Sequence, residues 1–375
     1  MEKFKDFYIR YLRYFLSKDN QTATDYDKYL ALVYAVRSQM VDRWIETQNY
    51  YHKHNVRRVY YLSLEYIFGR CLMQNIVNSG LNSDLNAAAE EFEFSFDDIV
   101  AQEDPFDLGN GGKGRLAACF QESMATMSIP ALAYGIRYDY AQFRQEIYKG
   151  QQIEKPYDWL HKGHPWEIIR PEYFCSIAFG GTSSIPPEYS YSLPAQWNAS
   201  EHSIAIPYDF PIPGYQNRTV NTLRLWSARA AEEFAPEYYN RGDYIKACEE
   251  RSLTGRATRM LFTEEDVRRA TTSRLRQQFF YISASLQDII RRFKQHNVSM
   301  LDFDKKVAIQ LNGSRCALAV PELMRLLVDI EMVPWDDAWR ITKNVLAYTS
   351  HAVQNDDLEV WPVYMLEQNF PRHMQ

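Results

Sequence analysis

The chain has 375 residues, with 42 Lys and Arg against 48 Asp and Glu, for a formal net charge of −6. Its 46% hydrophobic and 24% charged residues are ordinary globular composition and exclude a disordered chain, while only 15 glycines exclude collagenous or glycine-rich sequence. The acidic balance argues against a nucleic-acid partner, and no run approaches the ~18 apolar residues that span a bilayer, so no membrane partner is expected.

The first fifty residues read as helical. Phe4, Tyr8, Tyr11, Leu12 and Phe15 recur at three- and four-residue spacing, and a longer pattern (Tyr29, Leu32, Val33, Val36, Met40, Trp44, Ile45) follows an N-cap at Thr24-Asp25. The N-terminus has acids and no apolar core of a signal peptide, and the cysteines Cys71, Cys119, Cys175, Cys248 and Cys316 form no C-x-x-C pair. Both features predict a cytoplasmic protein without a disulfide framework or zinc ribbon.

Strands are predicted at 58–66, 131–138, 174–179, 202–206, 222–227 and 306–311, where aromatic and β-branched residues cluster. Helical patterns fall between them at 113–128, 243–261, 275–295, 320–331 and 335–346. This alternation predicts an α/β fold with a mostly parallel sheet flanked by helices. The proline-rich stretch at about 170–220 reads as an antiparallel or loop-rich insertion. Residues 241–294 are rich in arginine (among them Arg256, Arg274, Arg276, Arg291 and Arg292), but Glu249, Glu250, Glu264 and Glu265 interleave, which predicts a solvated helical face, with a subunit interface or anion site as the alternative.

Gly109, Gly111 and Gly114 make a G-x-G-x-x-G pattern, yet Glu103–Asp107 does not read as the strand a dinucleotide fingerprint needs. A glycine turn leading into the helix at 115–128 is the simpler reading. His161 and His164 could suggest metal ligands, but no third ligand follows at helical spacing, so a turn ending in a packed Trp166 is expected and no metal site.

The wording of several segments is more specific. Val59-Tyr-Tyr-Leu-Ser-Leu-Glu-Tyr66, Leu108-Gly-Asn-Gly-Gly-Lys-Gly-Arg-Leu-Ala-Ala-Cys-Phe120, Ala133-Tyr-Gly-Ile-Arg-Tyr138, Ile206-Pro-Tyr-Asp209, Val220-Asn-Thr-Leu-Arg-Leu-Trp-Ser227, Leu286-Gln-Asp-Ile-Ile-Arg-Arg-Phe293 and Val307-Ala-Ile-Gln-Leu-Asn312 resemble, in order, the amino-terminal half of glycogen (α-glucan) phosphorylases. The resemblance implies a Rossmann-like N-terminal lobe of a GT-B fold, here a single incomplete lobe over 1–375. Its parts would be dimerisation helices at 1–55, a first α/β part at 56–240, a tower-like helix and its successor at 241–297, and a second α/β part at 298–375. The family's pyridoxal phosphate lysine lies in the second lobe and has no counterpart here, so no cofactor is expected.

Carried over residue by residue, the resemblance implies a degenerate site. In the phosphate loop Gly111 and Gly112 match, but an apolar Leu is replaced by Lys113. Where the family reads Asn-Asp-Thr-His-Pro, this chain has Asn312-Gly313-Ser314-Arg315-Cys316, and arginine cannot accept a hydrogen bond. Ile67 replaces a tyrosine near the cofactor, and Glu264–Arg268 replaces the gating loop. His351 and Asn312 are retained. Of the family's nucleotide site, Gln48, Arg291 and Arg292 match, while a tyrosine position is His52.

Four parts of the pocket are therefore altered while the framework is kept, the pattern expected of a pseudoenzyme. The resemblance implies a non-catalytic oligomeric interaction or structural subunit, a homodimer or a hetero-oligomer with a phosphorylase-like or second-lobe partner. The alternatives are the N-terminal half of a split α-glucan phosphorylase and a sugar-phosphate or anion-binding sensor.

Overall fold

The computed structural model describes residues 4–92, 95–184, 195–230, 255, 257–261, 272–353 and 359–375. Most of the tower-like helix predicted at 243–261 and the whole gating segment 264–268 lie outside the described residues.

The scaffold is an eight-stranded sheet. Five strands run parallel in the order Leu346–Thr349, Val307–Asn312, Arg58–Leu62, Ala131–Ile136 and Val220–Ala230. The thirteen-residue strand Glu201–Pro213 then pairs antiparallel with Val220–Ala230, and Cys175–Phe179 and Ile168–Ile169 pair antiparallel with it in turn. The α/β prediction thus holds, and the proline-rich stretch extends the same sheet. Strands buried on both faces read as continuous apolar runs, and Ala131–Ile136 is buried at every position.

Helices flank this sheet. Asp25–Lys53 starts at Thr24, whose hydroxyl accepts from the Asp27 amide while the Asp27 carboxylate accepts from the Thr24 amide, a reciprocal capping box. Its Trp44 indole donates to Thr222 Oγ1 at 2.8 Å and its Tyr51 hydroxyl to Asn221 Oδ1 at 3.0 Å. The predicted helix at 275–295 is Thr272–Lys294, buried over most of its circumference. It docks on the sheet through Trp226 Nε1 to Ser285 Oγ (3.1 Å) and Tyr134 Oη to Asp288 Oδ2 (2.7 Å). Each fully buried Leu, Ile or Phe there contributes about 1.5–3 kcal/mol.

Three local readings change. The run 58–66 is not one strand: Arg58–Leu62 ends at Ser63, and Tyr66–Gly69 pairs antiparallel with Phe106–Leu108 in a separate two-stranded sheet. A short strand therefore does precede the glycine loop. It is antiparallel and outside the main sheet, so the dinucleotide reading still lacks its parallel strand. The arginine-rich segment is also not simply solvated. Arg274 is buried, and the Arg292 side chain is 14% exposed, each on a buried carboxylate.

Candidate functional site

The carboxyl ends of the parallel strands are where open α/β sheets place ligands. Here three of them lead into chemistry: Leu62 into Ser63 and Glu65, Asn312 into Gly313 and Arg315, and Thr349 into His351. The contacts join these loops. His351 Nε2 meets Asn312 Oδ1 at 2.6 Å, and Asn312 Nδ2 donates to Ser63 Oγ at 3.1 Å. Ser63 Oγ in turn donates to the Glu65 carbonyl at 2.8 Å.

Glu65 is the hinge between this line and the glycine loop. Its Oε2 accepts from the Asn110 amide at 3.1 Å. The loop comes so close that a Cβ on Gly109 would stand 2.9 Å from Glu65 Cβ, and one on Gly114 would stand 3.0 Å from Ile67 Cγ1. Glycine is required there for close approach. Gly111 caps the helix Gly112–Thr126, whose first amides are the free donors that an anion could use. Gly111, Gly112 and Lys113 are all exposed.

Opposite the loop stands Arg315. Its Nη1 lies 3.4 Å from Glu65 Oε1 and its Nε lies 3.9 Å from Glu359 Oε1. Glu359 also accepts from Arg274 Nη2 at 3.0 Å and from Gln278 Nε2 at 3.0 and 2.9 Å. Arg274 stacks over Trp361, 4.5 Å from the ring centre. Gly313 has φ 96° and ψ 166°, a region essentially reserved for glycine, and its amide donates to the Thr349 carbonyl at 3.0 Å.

The predicted residues Ile67, Asn312, Gly313, Arg315 and His351 are therefore gathered at the carboxyl ends of neighbouring strands, the cleft region of the sheet, with Lys113 on the adjoining glycine loop. Sequence reasoning missed Glu65, Glu359, Arg274 and Gln278 as members. Glu65 carried a signal, being an acid inside a buried aromatic run. Nothing near Glu359 in the chain points to it. Ile67 offers no hydroxyl, and its side chain packs against the glycine loop. Lys113, the loop's lysine, is exposed.

The residues that match the family's nucleotide site in sequence, Gln48, Arg291 and Arg292, are placed differently. Arg291 and Arg292 both bind Asp288, at 2.5 and 2.8 Å, and Arg224 donates to the same carboxylate at 2.9 Å. Burial pushes the Asp288 carboxyl up, but Arg224, Arg292 and Arg291 together hold it far below the usual carboxylate range. Gln48 is half-buried on Asp25–Lys53, and among the described residues no hydrogen bond joins it to either arginine. His52 meets His296 instead, ring nitrogen to ring nitrogen at 2.5 Å.

A cavity of about 560 Å³ lies elsewhere, between Thr272–Lys294 and the helical stretch from Arg325 to Glu331, with Trp197 and Phe279 in its wall. Its cations are committed: Arg291 to Asp288, Lys294 to Glu331 and Arg325 to Glu322. His164 lies in a box of Phe106, Trp159 and Phe210, and Trp166 is fully buried, as the predicted packed turn requires.

Comparison with known proteins agrees with this architecture. The carbohydrate phosphorylase family profile matches residues 89–375. The human brain form of glycogen phosphorylase (Homo sapiens) is 44% identical over 374 residues, covering 98% of this chain and 44% of the relative. The bovine (Bos taurus) brain form is 45% identical over 373 residues, 97% of this chain and 44% of the relative, and the bovine liver form is 44% identical over 374 residues, 98% and 43%. The chain spans less than half the length of the curated relatives it matches. With a sheet whose strand ends build this cleft, and identity running along nearly its whole length, the chain belongs to the carbohydrate phosphorylase family.

Proposed function

We propose that this chain is a non-catalytic member of its family, acting as an oligomeric interaction or structural subunit in the cytoplasm. One observation carries the reading. At the position of the family's sugar-contacting histidine stands Arg315, engaged by Glu65 and in reach of Glu359. A guanidinium offers donors only, so it cannot accept from a sugar hydroxyl. Ile67 and Gly313 remove further oriented groups, and losing one such donor typically costs about 10²–10³ in rate. The reading rests on these side chains and not on where the chain ends. An anion sensor finds less support, because Arg315 is already paired with carboxylates.

The second reading is half of a split glucan phosphorylase. It is favoured by the retained His351–Asn312 contact and by exposed apolar residues beyond the cleft, Tyr348, Val360, Val363 and Tyr364, which a second lobe could cover. The experiment separating the two is phosphorolysis of glycogen by the purified chain mixed with a phosphorylase second lobe and pyridoxal 5′-phosphate. Release of no glucose 1-phosphate is expected. Turnover by the mixture would overturn the non-catalytic reading and promote the split enzyme.

A further inference from the structure

We infer that the cleft is a guanidinium seat whose resident occupant is Arg315. The inference rests on the non-catalytic reading above and goes further by naming what the cleft recognises. Two carboxylates from distant parts of the chain, Glu65 and Glu359, converge on one guanidinium, and their side chains are only 11% and 6% exposed. Such carboxylates need a cation or several donors to stay ionised away from water. Glu359 has other partners in Arg274 and Gln278. Glu65 Oε2 has the Asn110 amide, and Arg315 serves its Oε1.

The seat is also shaped for a planar fork. Arg315 Nη1 donates to Glu65 Oε1 at 3.4 Å, while its Nε lies 3.9 Å from Glu359 Oε1, an ion-pair distance, so two edges of the same group face the two acids. A lysine ammonium is a point charge and could not bridge the two in this way. Both acids repel a phosphate or sugar phosphate from the same place. The specificity thus runs opposite to that of an anion site.

The test is chemical rescue of the full chain carrying Arg315→Ala. Thermal unfolding is followed with methylguanidinium, methylammonium or inorganic phosphate at about 10 mM, where the denaturing action of a guanidinium salt is negligible. A ligand that binds only the folded state raises the melting temperature in a saturable way. Expected are a lower melting temperature for the variant, recovery of most of the loss with methylguanidinium, a weaker response to methylammonium and none to phosphate. The wild-type protein should respond to none of the three. If Arg315→Ala does not fold, Arg315→Gln is used with the same expected order. A variant that melts like wild type, that ignores methylguanidinium, or that prefers phosphate overturns the inference. Turnover with a second lobe would instead overturn the non-catalytic reading while leaving the rescue result standing.

Discussion

Arg224 and Asp288 meet at 2.9 Å inside the core, although one lies on the strand Val220–Ala230 and the other on the helix Thr272–Lys294. Arg224 also forks onto Asp209 at 2.7 and 2.8 Å, so one buried guanidinium ties two strands to a helix. Asp288 additionally accepts from Arg291, Arg292 and Tyr134.

Removing one partner from such a network leaves buried charge uncompensated. Asp288→Ala, which strands Arg292 and leaves Arg224 with Asp209 as its remaining carboxylate, is expected to cost about 3–5 kcal/mol. Urea unfolding monitored by tryptophan fluorescence measures it. A loss below about 1 kcal/mol would mean the arginines find solvent.

Glu322 gives a defined acid window. It is fully buried, with Arg325 at 2.7 Å, Ser283 at 2.6 Å and His373 at 2.7 Å, and although burial pushes its carboxyl up, Arg325 and these hydrogen bonds bring it down to about 2. A depressed carboxylate stabilises the fold above its unfolded pKa, ~4.3, and that contribution disappears as pH falls through the folded value. The stability difference between wild type and Glu322→Gln should therefore shrink as pH falls from about 4.5 to about 2. A difference independent of pH across that window would refute the assignment.

His164 behaves in the opposite chemical sense. Burial, with Arg137 adding to it, lowers its pKa to about 3, so the folded protein keeps it neutral. The unfolded chain takes up a proton below ~6.5, and stability is lost as pH falls from there toward the folded value. His164→Phe, filling the same aromatic box, should remove that component of the pH dependence. Equilibrium unfolding at pH 7 and pH 5 compares the two, and equal slopes would contradict the prediction.

Gly313 bears on any attempt to rebuild the site. Its φ of 96° and ψ of 166° lie where a side chain is strained. Gly313→Asp is expected to cost about 1–3 kcal/mol, and Gly313→Asp with Arg315→His should release no glucose 1-phosphate. Calorimetry and the phosphorolysis assay check the two halves of this prediction. An unchanged melting temperature, or measurable turnover, would count against it.

Gly135 tests how the sheet supports the cleft. A Cβ there would stand 2.8 Å from Tyr66 Cε2 and 3.1 Å from the Ser63 carbonyl. Gly135→Ala must therefore move Tyr66, whose hydroxyl donates to the Tyr134 carbonyl, and should cost about 1–3 kcal/mol. Hydrogen exchange should rise at residues 63–67 if the strain spreads to the cleft, and a protection pattern identical to wild type would show that the strand absorbs it.

Much of this protein was legible along the chain, because periodicity and capping are local. The strand read at 131–138 becomes Ala131–Ile136, the N-cap read at Thr24-Asp25 holds with Asp27 completing a capping box, and the helix at 335–346 appears as Trp335–Val345. The altered residues Ile67, Gly313 and Arg315 were readable as departures from a family pattern. What they touch was not. Glu65 and Arg315 are 250 positions apart, and only the parallel order of the strands ending at Leu62 and Asn312 makes them neighbours. Arg274 and Arg292 read as surface charges because their partners Glu359 and Asp288 are set by packing, and no helical periodicity shows that a buried acid is waiting. Sequence by itself determined the elements and the kinship. Tertiary structure decided which charges cancel, because electrostatic pairing depends on distance in space and on exclusion of water, neither of which is written in chain order.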